Sequence, residues 1–311
     1  MESNNQHAMS RVPKYSAKTL NDWLESHKSL PAFPSVLTEL DAVLASDDVS
    51  VDAVVAILQV DVSVVARIMK TVNAARYIMH EPAHNLTDAV ARLGFAATRM
   101  LAIAAAFMSL MDAPKSFALR DFWRSALVSA VACREVVGMA RINQSSFDPS
   151  SAFTLGVASD LGVFLLDACC ADEYAYIVKK MQSNPLALVK MEQQELGVDH
   201  AIASAILLSA WNFPDTWVMG VAGHYFPARL PKEQQPWADA LLIAKSISYY
   251  LGYGNGVCPS NQSGVMLELT QLRLACLGLT ELDFKQLSSR VALMVEQEGW
   301  LNLAEQAATG S

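Results

Sequence analysis

The sequence predicts an all-α fold, and three observations support that prediction. Helix-capping side chains and helix-ending glycines recur along the chain, and apolar residues repeat at spacings of three and four. Hairpin dipeptides flanked by alternating β-branched residues are missing. Of the 311 residues, 52% are hydrophobic and only 17% are charged, so much of the chain must be buried. A chain of this length forms one large domain or two of about 150 residues each.

Helices in the first half are each bounded by a capping residue or a glycine. Ser50 and Asp61 precede apolar stripes at helical spacing, so they are predicted N-caps. Gly94 and Gly138 are predicted to end helices. The predicted helices of this half are 51–59, 62–75, 86–93, 95–110 and 119–137.

The second half repeats this pattern. Gly197 is a predicted helix end, and Asp199 and Asp215 are predicted caps of the helices that follow them. Thr280, with Asp283 three positions later, forms a capping-box pattern that opens the last helix. The predicted helices before it are 151–167, interrupted by two glycines, 172–182, 186–196, 200–211, 216–224 and 237–250, and residues 254–264 are a predicted loop.

Charge and hydropathy argue against two classes of partner, nucleic acids and membranes. With 23 basic and 31 acidic side chains the net charge is −8, which argues against a nucleic-acid partner. The charge-free runs 100–111 and 201–214 are shorter than the roughly 18–20 apolar residues that cross a bilayer, so no membrane partner is expected. The first fifteen residues are polar and lack an apolar signal core. A cytoplasmic location is therefore predicted.

The five cysteines do not form a metal-binding or CxxC pattern, and their number is odd. Most are expected to be reduced residues of the interior. The adjacent pair Cys169 and Cys170 leaves one alternative open, a redox-sensitive thiol pair.

An ordered series of motifs over about two-thirds of the chain resembles the HDOD domain family, non-catalytic bacterial relatives of the HD metal phosphohydrolases. Asp61-Val62 departs from the usual Asp-Pro, and Asn73-Ala74-Ala75 departs from the usual Asn-Ser-Ala. The residues that carry the resemblance are Leu30-Pro31, Pro34, Ser50, Asp61, Arg67, Val72-Asn73-Ala74-Ala75, Tyr77, Ala89, Leu93-Gly94, Phe122-Trp123-Arg124, Ala158-Ser159-Asp160-Leu161-Gly162, Gly197-Val198-Asp199-His200 and Trp211-Asn212-Phe213-Pro214.

The resemblance implies an N-terminal helical subdomain packed on a degenerate HD-like bundle. The implied division is an N-terminal extension with a short helix at 1–29, the N-terminal helical half at 30–117, the HD-like half at 118–250, and a loop with C-terminal helices at 251–311.

The resemblance also assigns positions to a vestigial metal site. HD enzymes hold divalent metals with imidazoles and carboxylates. Ser125 stands at the first histidine position, and Ser159-Asp160 replaces the His-Asp pair. His200, His224 and Asp239 match the remaining ligands. Because serine is a poor substitute for imidazole, no bound metal, no cofactor and no catalytic residues are expected.

Each of the four positions that keep a histidine or an aspartate also has a possible structural role that involves no metal. Asp160 is expected to lie partly buried in a helix, bonded to Ser125, a histidine or a basic side chain. His200 is expected to have a capping or surface role, and His224 to lie near a helix end. Asp239 is expected to be a surface carboxylate in a first helical turn.

Two functions remain after these arguments. The favoured one is a non-catalytic bacterial signal-transduction or regulatory module that binds protein partners, in pathways such as two-component or cyclic-di-GMP signalling, as the resemblance implies. The alternative is a residual HD-type metal-dependent phosphohydrolase or nucleotide-binding protein using Asp160, His200, His224 and Asp239.

Overall fold

The structure is a computed structural model that describes residues 32–74, 81–142, 147–181, 185–258 and 264–309. The predicted extension at 1–29, the motif residues Leu30-Pro31, Ala75 and Tyr77, and much of the predicted loop at 254–264 lie outside these ranges. The described residues form helices joined by turns and loops and contain no strand, which confirms the all-α prediction. The division of the chain at residues 117 and 250 stays a prediction.

Fifteen α-helices, named in chain order, make up the described part. They are α1 (Ser35–Leu44), α2 (Val51–Leu58), α3 (Val62–Val72), α4 (Leu86–Leu110), α5 (Leu119–Met139), α6 (Pro149–Ala158), α7 (Gly162–Cys169), α8 (Ala171–Lys180), α9 (Pro185–Leu196), α10 (His200–Ala210), α11 (Asp215–Ala222), α12 (Gln235–Tyr250), α13 (Gly264–Leu274), α14 (Glu281–Gln297) and α15 (Trp300–Thr309). Short 3₁₀ turns at Pro227–Arg229, Lys232–Gln234 and Ala275–Leu277 connect some of them.

Side-chain caps set the starts of these helices, largely as predicted. Ser50, Asp61 and Asp199 each accept a hydrogen bond from a backbone amide in the first turn of α2, α3 and α10. Thr280 and Asp283 form the complete capping box of α14. The prediction for Asp215 was wrong, because Pro214 takes the cap position of α11 and Asp215 is its first residue.

Two glycines act differently from the prediction. Gly94 has φ +73°, so α4 kinks there, as a helix stop requires, but the chain resumes helical geometry at once. Gly156 does not interrupt α6; a Cβ at this position would lie 2.5 Å from Ala130 Cα, so its role is close packing against α5. The break instead falls at residues 159–161, which form a turn between α6 and α7.

Helix α5 is the centre of the molecule. It packs against α6, α12, α14 and α15, while α1, α2 and α3 pack on α4. Fourteen of the residues of α5, including Phe122 and Trp123, are buried. The larger of two hydrophobic clusters runs from Val36 in α1 to Ala304 in α15. The low charge content therefore reflects helices that are buried on several sides.

Two helical spans, Leu86–Leu110 and Pro149–Cys169, are long and apolar enough to cross a membrane by length and composition. Their most apolar windows are 56% and 89% buried inside the structure. The first span kinks at Gly94, and the second contains the turn at 159–161. Both spans thus contribute to the protein core.

The adjacent cysteines have the character of interior thiols. Cys170 is buried and Cys169 is half-buried. Burial, with the neighbouring Cys170, raises the pKa of the Cys169 thiol to about 12. A thiol with so high a pKa forms little thiolate, so this position disfavours the redox alternative.

Candidate functional site

Asp160 lies in the turn between α6 and α7, not within a helix as expected. Ser159 fixes the start of this turn by donating its hydroxyl to the Gly156 carbonyl at 2.9 Å. On the other side, the Gly162 amide donates to Ser204 Oγ on α10 at 2.7 Å. The Asp160 carboxylate is buried, and Lys245 Nζ on α12 lies 2.6 Å from its Oδ2. The expectation of a buried carboxylate with a basic partner is confirmed, and the partner is Lys245.

His200 is the first residue of α10 and is held by a second carboxylate. Its Nδ1 lies 2.6 Å from Glu192 Oε2, and its backbone amide donates to the same oxygen at 3.0 Å. The Tyr174 hydroxyl donates to the other oxygen of Glu192 at 3.0 Å. On the inner side, His200 Nε2 lies 3.1 Å from the Tyr225 hydroxyl and 3.6 Å from Asp160 Oδ1.

His224 follows the end of α11 and faces the same carboxylate. Its Nδ1 donates to the Val221 carbonyl at 2.6 Å, which turns Nε2 inward to 3.8 Å from Asp160 Oδ1. The potential ligand atoms of Asp160, His200 and His224 all lie within 4.8 Å of one another. The structure therefore brings together three of the six positions that the resemblance assigned.

The electrostatics of this cluster follow from burial and from its two carboxylates. Burial opposes ionisation of Asp160, but Lys245, with His200 and His224, lowers the pKa of Asp160 to about 2. Burial also disfavours charge on His200, and Glu192 more than reverses this, raising the pKa of His200 to about 9. Burial, together with Lys245, lowers the pKa of His224 to about 3. His224 is thus a neutral imidazole beside a carboxylate and an ammonium.

The expected capping or surface role of His200 and the expected surface role of Asp239 were wrong, whereas His224 does follow a helix end. Both histidines are completely buried, because α10 and α11 turn their ends toward Asp160. Asp239 lies in the second turn of α12 and is also buried. It accepts two hydrogen bonds from Arg273 on α13, at 2.6 and 3.0 Å, so it belongs to a different ion pair.

Lys245 is the residue of α12 that the sequence analysis missed. It is the single basic residue of that helix and stands between Ala244 and Ser246 in an otherwise apolar stretch. A lone lysine at the centre of an apolar helix was the available signal, because such a residue is almost never fully buried unless it is paired. Glu192, Tyr174 and Tyr225 gave no signal, because their roles depend on contacts between helices distant in sequence.

The hydroxyls of Ser125 and Ser159, which the resemblance places at histidine positions, bond to groups outside the cluster. Ser125 on α5 donates to the Tyr253 carbonyl at 3.3 Å and lies 3.4 Å from Ser248 Oγ. Ser159 is bonded to the carbonyl of Gly156, as described above. Neither hydroxyl takes part in the polar contacts that join Asp160 to His200, His224 and Lys245.

The ligand atoms of Asp160, His200 and His224 only partly match the coordination that a divalent metal needs. Tetrahedral zinc with bonds of 2.0–2.1 Å holds its ligand atoms about 3.4 Å apart, so the 3.6 and 3.8 Å separations are near that geometry. Asp160 Oδ1 and His224 Nε2 are buried atoms without a hydrogen-bond partner. However, the ammonium group of Lys245 already contacts Asp160, and Ser125 and Ser159 supply no imidazole to the cluster. The residues present do not fit a bound metal.

A separate cavity of about 560 Å³ lies between α5 and the segment that follows α12. Its lining includes Arg124, Met181 and the glycine-rich stretch around Tyr253, whose carbonyl accepts from Ser125. Asp160, His200 and His224 are not among its lining residues. Among the described residues, the cavity and the cluster therefore share no side chain.

The sequence and the fold of this chain match a known protein family. The profile of the HDOD domain matches residues 30–227. A solved HDOD domain protein of unknown function from Geobacter sulfurreducens has the same fold, with TM-score 0.64 and 17% identity over 90% of this chain and 95% of the other. A protein from Shewanella amazonensis SB2B, offered by its name as a candidate phosphohydrolase, has TM-score 0.66 and 25% identity over 92% and 97% of the two chains.

Two further relatives are longer than this chain. A protein from Marinobacter aquaeolei VT8, offered by its name as a candidate signal transduction protein, has TM-score 0.67 and 19% identity over 94% of this chain and 63% of its own. An uncharacterized protein of Treponema pallidum (strain Nichols) is 20% identical over 222 residues, which are 71% of this chain and 42% of that protein. The chain thus spans less than half the length of this curated relative. Because the HDOD profile covers well over half of the sequence, this chain belongs to the HDOD domain family.

Proposed function

We propose that this chain is a non-catalytic signal-transduction module that acts through contacts with other proteins. The observation that carries the proposal is the state of Asp160: its carboxylate is buried and already paired with the Lys245 ammonium at 2.6 Å. A metal phosphohydrolase needs an open coordination position where water and a phosphate oxygen can bind. Asp160, His200 and His224 are instead enclosed by protein.

Two further observations support the same proposal. Ser125 and Ser159 direct their hydroxyls to backbone carbonyls, so neither replaces a metal-binding imidazole. The name of the Marinobacter aquaeolei relative, which shares the fold, points to signalling. With 31 acidic and 23 basic side chains, the surface suits partners that are neither nucleic acids nor anionic lipids.

A residual metal-dependent phosphohydrolase is the second candidate, and one observation favours it. The ligand atoms of Asp160, His200 and His224 lie within 4.8 Å of one another, and two of them have no hydrogen-bond partner. The name of the Shewanella amazonensis relative points the same way.

Metal analysis combined with an activity assay separates the two candidates. Purified protein is analysed for Mn, Fe, Ni and Zn and assayed with phosphomonoesters and phosphodiesters in each metal. The Asp160→Asn variant is the matched control. The proposal predicts less than stoichiometric metal and the same background turnover for both proteins. Stoichiometric metal that is lost in Asp160→Asn, with turnover that is lost as well, would reverse the assignment.

Partner binding is tested by crosslinking in the native host. A specific partner should be recovered equally by wild type and by Asp160→Asn, because the proposed contacts do not use this carboxylate. The crosslinks should map to exposed helix faces. Loss of the partner on this single buried change, with the fold retained, would contradict the proposal.

A further inference from the structure

The cluster around Asp160 contains the hydrogen bonds that orient histidine rings in metal sites. Both histidines present Nε2 toward Asp160 Oδ1, at 3.6 and 3.8 Å. On the far side of each ring, Nδ1 is bonded to the Glu192 carboxylate in one case and to the Val221 carbonyl in the other. Metal-bound histidines are oriented in this way, by a carboxylate or carbonyl on the second ring nitrogen.

Two hydrogen-bond acceptors of the cluster lie 3.8 Å apart with no donor between them. Asp160 Oδ1 and His224 Nε2 are buried and have no hydrogen-bond partner. Because His224 Nδ1 donates to Val221, the Nε2 of a neutral ring offers a lone pair, as the carboxylate oxygen does. A cation satisfies two such atoms together, as does a donor with two hydrogens such as water. The cation that the fold supplies is Lys245, bonded to the neighbouring oxygen, Oδ2.

The fixed charges of the cluster explain why a metal would not bind beside Lys245. Asp160 and Glu192 contribute two negative charges, and the Lys245 ammonium and the protonated His200 imidazole contribute two positive charges. An added divalent cation would be repelled by an ammonium only a few ångströms away, with little solvent to screen the repulsion. A neutral side chain at 245 would leave a net negative charge, and a divalent cation that displaces the His200 proton would be balanced by the two carboxylates.

We infer that Lys245 is a built-in cation that takes the place of a metal ion at Asp160, and that it keeps divalent metals out of the cluster. Removing its charge converts Asp160, His200 and His224 into a site for a divalent transition metal with imidazole and carboxylate ligands. The inference deepens the proposed function, since it names the residue that makes the native cluster independent of metal.

Cobalt binding tests the inference directly. Wild type, Lys245→Met and Lys245→Gln are stripped with a chelator and titrated with Co²⁺, followed by calorimetry and by visible absorption from ligated cobalt. Glutamine can still donate a hydrogen bond to Asp160, so that variant tests the charge with the fold supported. Lys285→Met, which removes an exposed lysine of α14, is the matched control.

The charge-removing variants should bind one equivalent of Co²⁺ about 100-fold or more tighter than wild type. The spectrum should show nitrogen ligation, and the affinity should fall back when His224→Ala is added. Wild type and Lys285→Met should bind only weakly.

Two results have different consequences. Wild-type affinity in both Lys245 variants would overturn the inference and leave the non-catalytic function intact. Tight binding of one Co²⁺ by wild type itself would overturn the inference and also count against the proposed function.

Discussion

Lys245 and Asp160 depend on each other, because each is a charged group inside the protein. Their side chains are 3% and 8% exposed, and their atoms are 2.6 Å apart. A buried pair of this kind adds little over two apolar residues, but loss of one partner leaves an uncompensated charge. The pair therefore fixes how α12 sits against the turn at 159–161.

Removal of Lys245 alone should destabilise the protein strongly. Lys245→Met leaves the Asp160 carboxylate buried without its cation, so the free energy of unfolding should fall by about 3–5 kcal/mol. Urea unfolding measures this change. Adding Asp160→Asn should recover a large part of the loss, because the amide carries no charge. Strictly additive losses in the double variant would show that the two side chains are not coupled.

The two histidines should give the stability of the protein opposite dependences on pH. His224 has a folded pKa of about 3, below its ordinary value, so the unfolded chain binds more protons between pH 6.5 and 3 and stability falls as pH falls. His200 has a folded pKa of about 9, so its contribution is complete below pH 6.5 and is lost as pH rises toward 9. Asp160 adds a further loss below pH 3.8.

Glutamine substitutions separate these two effects. His224→Gln should flatten the acid side of the stability curve between pH 6.5 and 4, and His200→Gln should flatten the alkaline side between pH 6.5 and 9. Chemical unfolding at a series of pH values measures both slopes. Unchanged slopes in both variants would mean that neither histidine has a shifted pKa.

At the scale of helices, close contact between α7 and α10 positions the cluster. A Cβ on Gly162, the first residue of α7, would lie 2.1 Å from the His200 carbonyl and 2.5 Å from the Ser204 amide. Neither backbone atom can move without shifting α10. Gly162 therefore sets the distance at which His200 meets Asp160.

Alanine at two helical glycines tests this contact. Gly162→Ala should cost about 1–3 kcal/mol of unfolding free energy through forced separation of α7 and α10. Gly138→Ala in α5 is the matched control, since its Cβ meets only Pro149 Cγ at 3.7 Å, and it should be neutral or slightly stabilising. Thermal unfolding of both proteins gives the comparison. Equal effects at the two positions would contradict the proposed role of Gly162.

The sequence predicts helices more reliably than it predicts which helix faces meet. The caps at Ser50, Asp61 and Asp199 are local hydrogen bonds, so they can be read from neighbouring residues. The assignment of Asp239 to the site, and the omission of Lys245, have a different cause. Six residues along a helix rotate the side chain by roughly 240° net, so the two residues of α12 face different neighbours. Only the packing of α12 on α13 and on the 159–161 turn determines that Lys245, and not Asp239, lies beside Asp160.

Across the whole molecule, aromatic contacts join the first helices to the bundle. Phe33, just before α1, contacts Phe107 of α4 and both Trp211 and Phe213 after α10, with ring centroids 5.3–6.3 Å apart. Phe107 and Trp211 stack at 5.6 Å. The larger hydrophobic cluster of buried residues crosses the same junction. The two halves suggested by the sequence therefore share one interior.

A shared interior should make unfolding of the described helices a single cooperative event. Tryptophan fluorescence reports on residues such as Trp211 at the junction, and far-ultraviolet circular dichroism reports on all helices. The two signals should give coincident urea transitions with one midpoint. Two separated midpoints would show that the N-terminal helices and the bundle unfold independently.

The central claim is that the Lys245 ammonium takes the place of a metal ion in the buried cluster of Asp160, His200 and His224. Crystals of the wild-type protein grown with Mn²⁺, with diffraction collected at a wavelength where manganese scatters anomalously, test this most directly. The account predicts no anomalous peak among Asp160, His200 and His224, and electron density that joins Lys245 Nζ to Asp160. A full-occupancy peak with bonds of about 2.0–2.3 Å to these three residues, and Lys245 displaced from Asp160, would contradict it.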